Sequence, residues 1–93
     1  MIIGLLSIEI FIPSSTSLKD KRMVLNHIRD KVRKKYNVSV AEVDFLDKWQ
    51  RSLIGIALVT SQKSFAEEML TKIFQQLDDD YNFEISQYRI EYR

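Results

Sequence analysis

Along Ile2–Ile12 the even positions read Ile2, Gly4, Leu6, Ile8, Ile10 and Ile12, and the odd positions Ile3, Leu5, Ser7, Glu9 and Phe11. One phase is wholly apolar and the other largely so, the pattern of a strand in the middle of a sheet. Arg51–Thr60 repeats it, with Ile54, Ile56 and Leu58 on one side and Leu53, Gly55, Ala57 and Val59 on the other. Val38–Phe45 alternates instead and carries Glu42 and Asp44, and charge on a short alternating segment predicts an edge strand. In Asn82–Tyr92 the apolar phase slips: Phe83 and Ile85 share one parity, Tyr88, Ile90 and Tyr92 the other. The slip predicts a β-bulge near Ser86-Gln87, and the polar groups between predict a second edge.

Two stretches have helical periodicity. From about Leu18 to Tyr36, Leu18, Lys21, Leu25, Ile28 and Val32 recur at three-to-four spacing, with Val24 beside them. The Lys21 stem fits along this stripe with its ammonium in water. Pro13 closes the first strand, Ser17 is a suitable N-cap with Asp20 three residues on, and Asn37 suits a left-handed residue after the helix. From about Phe65 to Asp79 the stripe is Phe65, Met69, Leu70, Ile73, Phe74 and Leu77, and Ser64-Phe65-Ala66-Glu67 reads as a capping box. Asp78, Asp79 and Asp80 oppose the helix dipole and one another, which predicts a frayed last turn. Leu46–Gln50 has no glycine, so an irregular hairpin loop is expected rather than a tight primed turn. The order is βαββαβ with the first and third strands central. That predicts an α+β, ferredoxin-like sandwich: one domain over residues 1–93, an antiparallel sheet ordered 4-1-3-2 and two helices on one face.

Length and composition narrow the classes. Ninety-three residues hold one core, and 45% hydrophobic residues are enough to fill it. With no cysteine, a disulfide scaffold, a thiolate nucleophile and cysteine-based metal sites are excluded, and a cytoplasmic location is expected. No apolar run reaches the roughly 20 residues of a membrane span. Ile2–Ile12 does not read as a signal peptide, because no basic residue precedes it and Glu9 interrupts it. The net charge is +1, but residues 17–36 hold eight of the fourteen basic residues against Asp20 and Asp30. Such asymmetry points to a polyanionic or acidic partner.

The chemistry-bearing residues point to binding rather than catalysis. His27, the only histidine, lies off the apolar stripe with no acid or nucleophile near it in sequence, and is read as structural. Glu42, Asp44 and Asp47 form no complete oxygen-ligand motif and are read as a solvated acidic hairpin, with Lys48 and Arg51 as available ion partners. Acylphosphatases share the fold and use a glycine-rich first loop with a nearby arginine, but Pro13–Ser17 has no glycine, so enzymatic activity is not expected. Nothing in the sequence calls for a cofactor, a metal or a small-molecule substrate. Ser17, Lys19, Lys21 and Arg22 at the start of the first helix, extended by Arg29 and Arg33, are the candidate anion or RNA site. Trp49 either packs over its hairpin or, with Arg51, Leu5 and Phe11, meets a partner. The open sheet face would present Ile3, Leu5, Phe11, Leu53, Ala57 and Val59, more apolar surface than a monomer readily leaves in water, which makes a second copy of the chain a candidate occupant. The third strand has no aromatic residue and the first only Phe11, so RNA bases are not expected to stack on that face.

Ser17-Leu18-Lys19-Asp20-Lys21-Arg22, Asn37-Val38-Ser39-Val40-Ala41-Glu42-Val43-Asp44, Asp47 and Trp49-Gln50-Arg51 together resemble the YlxP-like family of small bacterial proteins of unknown function. The resemblance extends over essentially the whole chain. It implies a ferredoxin-like domain and, because the genes often lie near translation and ribosome-maturation genes, an RNA or ribosome connection by association. The leading expectation is therefore an RNA- or ribosome-associated accessory protein gripping phosphates through the first helix, with Trp49 and Arg51 as a second contact. The alternative is a homo-oligomeric interaction module using the open sheet face.

Overall fold

The computed structural model describes residues 1–93. The elements are β1 (Ile2–Phe11), α1 (Leu18–Lys35), β2 (Ser39–Asp44), β3 (Arg51–Thr60), α2 (Lys63–Asp78) and β4 (Glu84–Tyr92). All pairings are antiparallel, in the order β2-β3-β1-β4, so the two doubly apolar strands are central as their pattern requires. Leu6, Ile8, Ile10 and Ile12 of one phase of the first strand are wholly buried, together with Ile54 and Ile56, against Ile28 and Val32 of α1 and Leu70, Ile73 and Leu77 of α2. Both helices therefore cover the same face, and the other face is open. Gly4 belongs to the covered phase. A Cβ placed there would lie 3.2 Å from the Ala66 Cβ and 3.0 Å from Leu70 Cδ1, so its bare backbone is what lets α2 come down onto β1.

The bulge falls where the phase slip puts it. Glu9 pairs with Gln87 and Ile10 with Ile85, leaving Ser86 over, and its hydroxyl donates to the Glu9 carbonyl at 3.1 Å. A second irregularity sits in β2, where Glu42 pairs with Ile54 but Asp44 with Leu53, so that Val43 is extra.

Helix ends departed from expectation more than helix interiors did. At α1 the cap is as read: Ser17 Oγ accepts from the Asp20 amide at 3.1 Å, and Asp20 reaches back to the Thr16 amide (3.0 Å) and hydroxyl (2.8 Å). Those Thr16 bonds hold the Asp20 carboxyl below the usual carboxylate value. Asn37 is not left-handed. Tyr36 leaves the helix with extended backbone (φ −130°, ψ 143°), which leads the chain directly into β2 while its ring packs against the core. At α2 the Ser64 capping box does not form. The helix begins at Lys63 behind Gln62, with no side-chain cap, and the Gln62 amide is taken by Thr60 Oγ1 at 3.2 Å. Phe65, expected on the buried stripe, is 48% exposed.

Asp80 does not fray. Its carboxylate is buried and joins α1 to the α2–β4 turn: Oδ2 meets His27 Nε2 at 2.8 Å and Lys31 Nζ at 3.1 Å, and Oδ1 accepts from the Asn82 amide and side chain at 2.9 and 2.8 Å. Burial alone would raise this carboxyl. The Asn82 backbone bond, then His27, Lys31 and the Asn82 side chain, outweigh it and hold the group well below the ordinary value. His27 thus meets the Asp80 carboxylate across the fold.

Two tests follow from these ends. Ser17→Ala should lower unfolding free energy by roughly 1 kcal/mol in urea denaturation, and Ser64→Ala should stay within about 0.5 kcal/mol of wild type. Because the folded Asp80 value lies below the unfolded one, its contribution is complete above the unfolded value of about 3.9 and is lost as pH falls through the folded value. The stability gap between wild type and Asp80→Asn should therefore narrow on acidification below about pH 4, measured by denaturation at each pH.

Candidate functional site at the Trp49 hairpin and the outer flank of the first helix

Lys21 is the main correction to the candidate anion site. It lies on the buried side of α1, and its ammonium is not in water: the side chain is 3% exposed. Nζ sits 2.8 Å from Glu42 Oε2 and 2.9 Å from the Phe45 carbonyl, with the Leu46 and Arg51 carbonyls both at 3.4 Å. An ammonium has three donors, so the first two acceptors each take one and the more distant pair shares the third. Glu42 also accepts from the buried Ser52 hydroxyl at 2.7 Å. Glu42 is thus neither a solvated hairpin acid nor a cation ligand but the counter-charge of Lys21. No group of three His, Cys, Asp or Glu side chains is arranged to hold a metal ion.

This buried charge fixes the irregular loop between β2 and β3. Phe45 is the one non-glycine residue with positive φ (60°), a conformation that costs about 1 kcal/mol or more unless its surroundings enforce it. Here they do. Its amide donates to Asp44 Oδ1, its carbonyl accepts from Lys21 and the Lys48 amide, and its ring lies 4.0 Å from the Arg51 guanidinium. Arg51 is also held by Glu9 Oε2 at 3.3 Å. Gln50 ties the loop to the β1–α1 connection: its side-chain amide donates to the Pro13 and Ser15 carbonyls at 3.1 and 3.2 Å, and its own carbonyl accepts from the Ile12 amide at 2.8 Å. Between these anchored neighbours Trp49 points outward, 54% exposed. Phe11, Trp49 and Arg51 line one cleft of about 670 Å³ at this end of the sheet, with Thr16, Asp47 and Lys48 among the polar groups around it. Leu5 is not part of it. It lies further along the open face in a groove of about 310 Å³ with Ala41, Val43, Gly55 and Ala57.

The remaining basic candidates form a stripe. α1 is continuous over Leu18–Lys35, so at 100° per residue Lys19, Arg22, Arg29 and Arg33 fall within about 80° of arc. They run for about 21 Å along a flank turned roughly 120° from the Lys21–Ile28–Val32 line. None has an ion-pair partner; Arg29 donates only to Asn26 Oδ1 at 3.3 Å. Of the eight cations in residues 17–36, Lys21 and Lys31 are committed to Glu42 and Asp80, which leaves six against Asp20 and Asp30, a net of +4. Ser17 is used as the helix cap, and the Asp20 carboxylate already sits at the positive end of the dipole, so the helix terminus does not add to the stripe. No signal in the sequence marked the roles of Glu42 and Asp80, whose cationic partners lie 21 or more residues away, or the left-handed Phe45, whose carbonyl is held by the distant Lys21.

Lys21→Met should be destabilising, by about 3 kcal/mol in urea denaturation, since it leaves the part-buried Glu42 carboxylate without its counter-charge. Glu42→Gln added to Lys21→Met should recover part of that loss by removing the stranded charge, while Arg22→Met should be near neutral.

The family model described as Protein of unknown function (DUF503) matches residues 3–90. The Uncharacterized protein YlxP of Bacillus subtilis (strain 168) is 40% identical over 76 residues, covering 82% of this chain and 83% of that protein. Among solved structures, a de novo designed protein with ferredoxin fold aligns with TM-score 0.48 at 11% identity, covering 100% of this chain and 84% of that one. A REP-associated tyrosine transposase bound to a REP hairpin aligns with TM-score 0.45 at 13% identity, covering 98% of this chain and 55% of that one. No helix is long and apolar enough to cross a membrane. With the family match spanning nearly the whole chain and the relative agreeing with it, the protein belongs to the DUF503 family, whose function is unknown.

Proposed function

We propose that the protein is a non-catalytic binding module that grips the phosphate backbone of structured RNA, as an accessory factor of RNA or the ribosome, through the outer flank of α1. The observation that carries this reading is the one-sided stripe of Lys19, Arg22, Arg29 and Arg33, four unpaired cations on one face of a continuous helix. Asp30 stands at the edge of this arc, about 20° beyond Lys19 and three residues before Arg33, so the stripe is bordered by a single acid. Guanidinium groups suit phosphate because their planar fork offers two parallel donors. Contacts of this kind give affinity with little sequence preference and a steep salt dependence.

A second reading is self-association through the open sheet face. It is favoured by Val43 and Val59, 55% and 66% exposed, next to the uncovered groove that holds Leu5.

The test is fluorescence anisotropy of a labelled ribosomal RNA hairpin across a salt series. Lys19→Ala/Arg22→Ala/Arg33→Ala should bind more weakly and lower the salt slope by about 2–3, roughly one per lost phosphate contact, while Lys72→Ala should behave as wild type. Lys21 is left intact because its loss would unfold the loop. Equal slopes for the triple variant and wild type, or no binding at about 50 mM salt, would rule out the flank. Absent RNA affinity together with a dimer mass in sedimentation would favour the second reading.

A further inference from the structure

We infer that the cleft beside Trp49 holds an unpaired base of single-stranded RNA, whose backbone continues onto the basic flank of α1. This rests on the phosphate-backbone reading and adds to it what the protein distinguishes, namely unpaired from paired RNA.

Trp49 is the only tryptophan in the chain, and it is presented rather than stowed. The backbone on either side of it is fixed: Lys21 holds the Phe45 and Arg51 carbonyls, and Gln50 bonds to Pro13 and Ser15. A surface indole on a loop this constrained has already lost the conformational entropy that an induced-fit contact would have to surrender on binding. With Phe11 it supplies two aromatic surfaces in one cleft of about 670 Å³, which is within the size range of small-molecule sites. Every base has a π-face, so stacking there is tolerant of sequence. Asp47 offers a carboxylate to a base amino group, and Lys48 an ammonium to a phosphate.

The continuity of charge decides for nucleic acid over a peptide. Thr16 lines the cleft, and Lys19, the first cation of the stripe, follows three residues later at the start of α1. A chain leaving the cleft at that side meets Lys19, Arg22, Arg29 and Arg33 in turn. The cations rise by about 4.5, 10.5 and 6 Å in turn, a spacing that the flexible backbone of a single strand can follow, and the aromatic cleft at the head of the row suits the one part of RNA that a duplex hides. Phe11 brings the open-face phase of β1 to the cleft, while β3 supplies no aromatic residue to it.

Trp49 is its own reporter. The probes are an oligoadenylate of about 12 nucleotides and a blunt RNA duplex of the same length, both labelled for anisotropy. In wild type the single strand should quench Trp49 emission saturably, with the same midpoint as its anisotropy, whereas the duplex should bind without quenching. Trp49→Ala should weaken single-strand binding by about 10- to 100-fold and leave duplex binding unchanged, the latter also showing that the variant is folded. Single-strand binding with unchanged Trp49 emission, or with unchanged affinity in Trp49→Ala, overturns the base cleft while leaving the backbone reading standing. If neither RNA binds, both fall, and the two aromatics are left to a protein partner.

Discussion

An ammonium taken out of water must be given back the hydrogen bonds it leaves behind, and the way Lys21 is repaid shapes one whole end of this molecule. Its acceptors come from β2, from the loop and from the start of β3, so satisfying one side chain of α1 fixes three segments at once. A buried ion pair is seldom a large net source of stability, since desolvation offsets most of its attraction. What it supplies here is a constraint: the Phe45, Leu46 and Arg51 carbonyls are all turned toward one ammonium. The left-handed Phe45 and the guanidinium stacked on its ring belong to that arrangement. An apolar residue in place of Lys21 would pack the same gap without choosing among loop conformations.

The division between what the residues announce and what they conceal follows the range of the forces involved. Doubly apolar Ile2–Ile12 and Arg51–Thr60 declare themselves central because burial on both faces is written into consecutive residues, and the slip between Ile85 and Tyr88 reveals the Ser86 bulge for the same reason. The fold is legible at that level. The candidate site is legible only in part. Trp49, Arg51 and Phe11 do converge, and the outer cations do share a flank, as helical geometry dictates once the helix is known to be unbroken. The fates of Lys21 and Asp80 were not legible, because each is decided by partners 21 or more positions away, and a lysine at a stripe position reads as a snorkelling surface residue unless a carboxylate is known to face it. Asn37 and Ser64 failed for a milder reason. Cap preferences are worth about 1 kcal/mol, and the route of the chain into β2 and the Thr60–Gln62 turn outweigh them.

Charge tells a related story. The basic excess in residues 17–36 looks uniform along the sequence, yet the fold sorts it into two populations. Lys21 and Lys31 face inward and tie α1 to the β2–β3 loop and to the α2–β4 turn, so they act as fasteners. The arginines of the outer flank make no ion pair, and Arg29 reaches only Asn26 on its own helix. Cations that stabilise no intramolecular contact are the ones available to something else, and separating the two groups is what a count of charges cannot do.

The position of β1 in the sheet has a consequence for how the protein comes into being. It precedes the other strands in the chain, yet both its neighbours follow much later, β3 at residues 51–60 and β4 at 84–92. During synthesis a strand greasy on both sides must wait, with one edge unpaired, until the last segment has emerged. Folding is thus bound to be a late event dominated by distant pairings, and a nascent chain stalled before β4 would present an unprotected edge to every other copy.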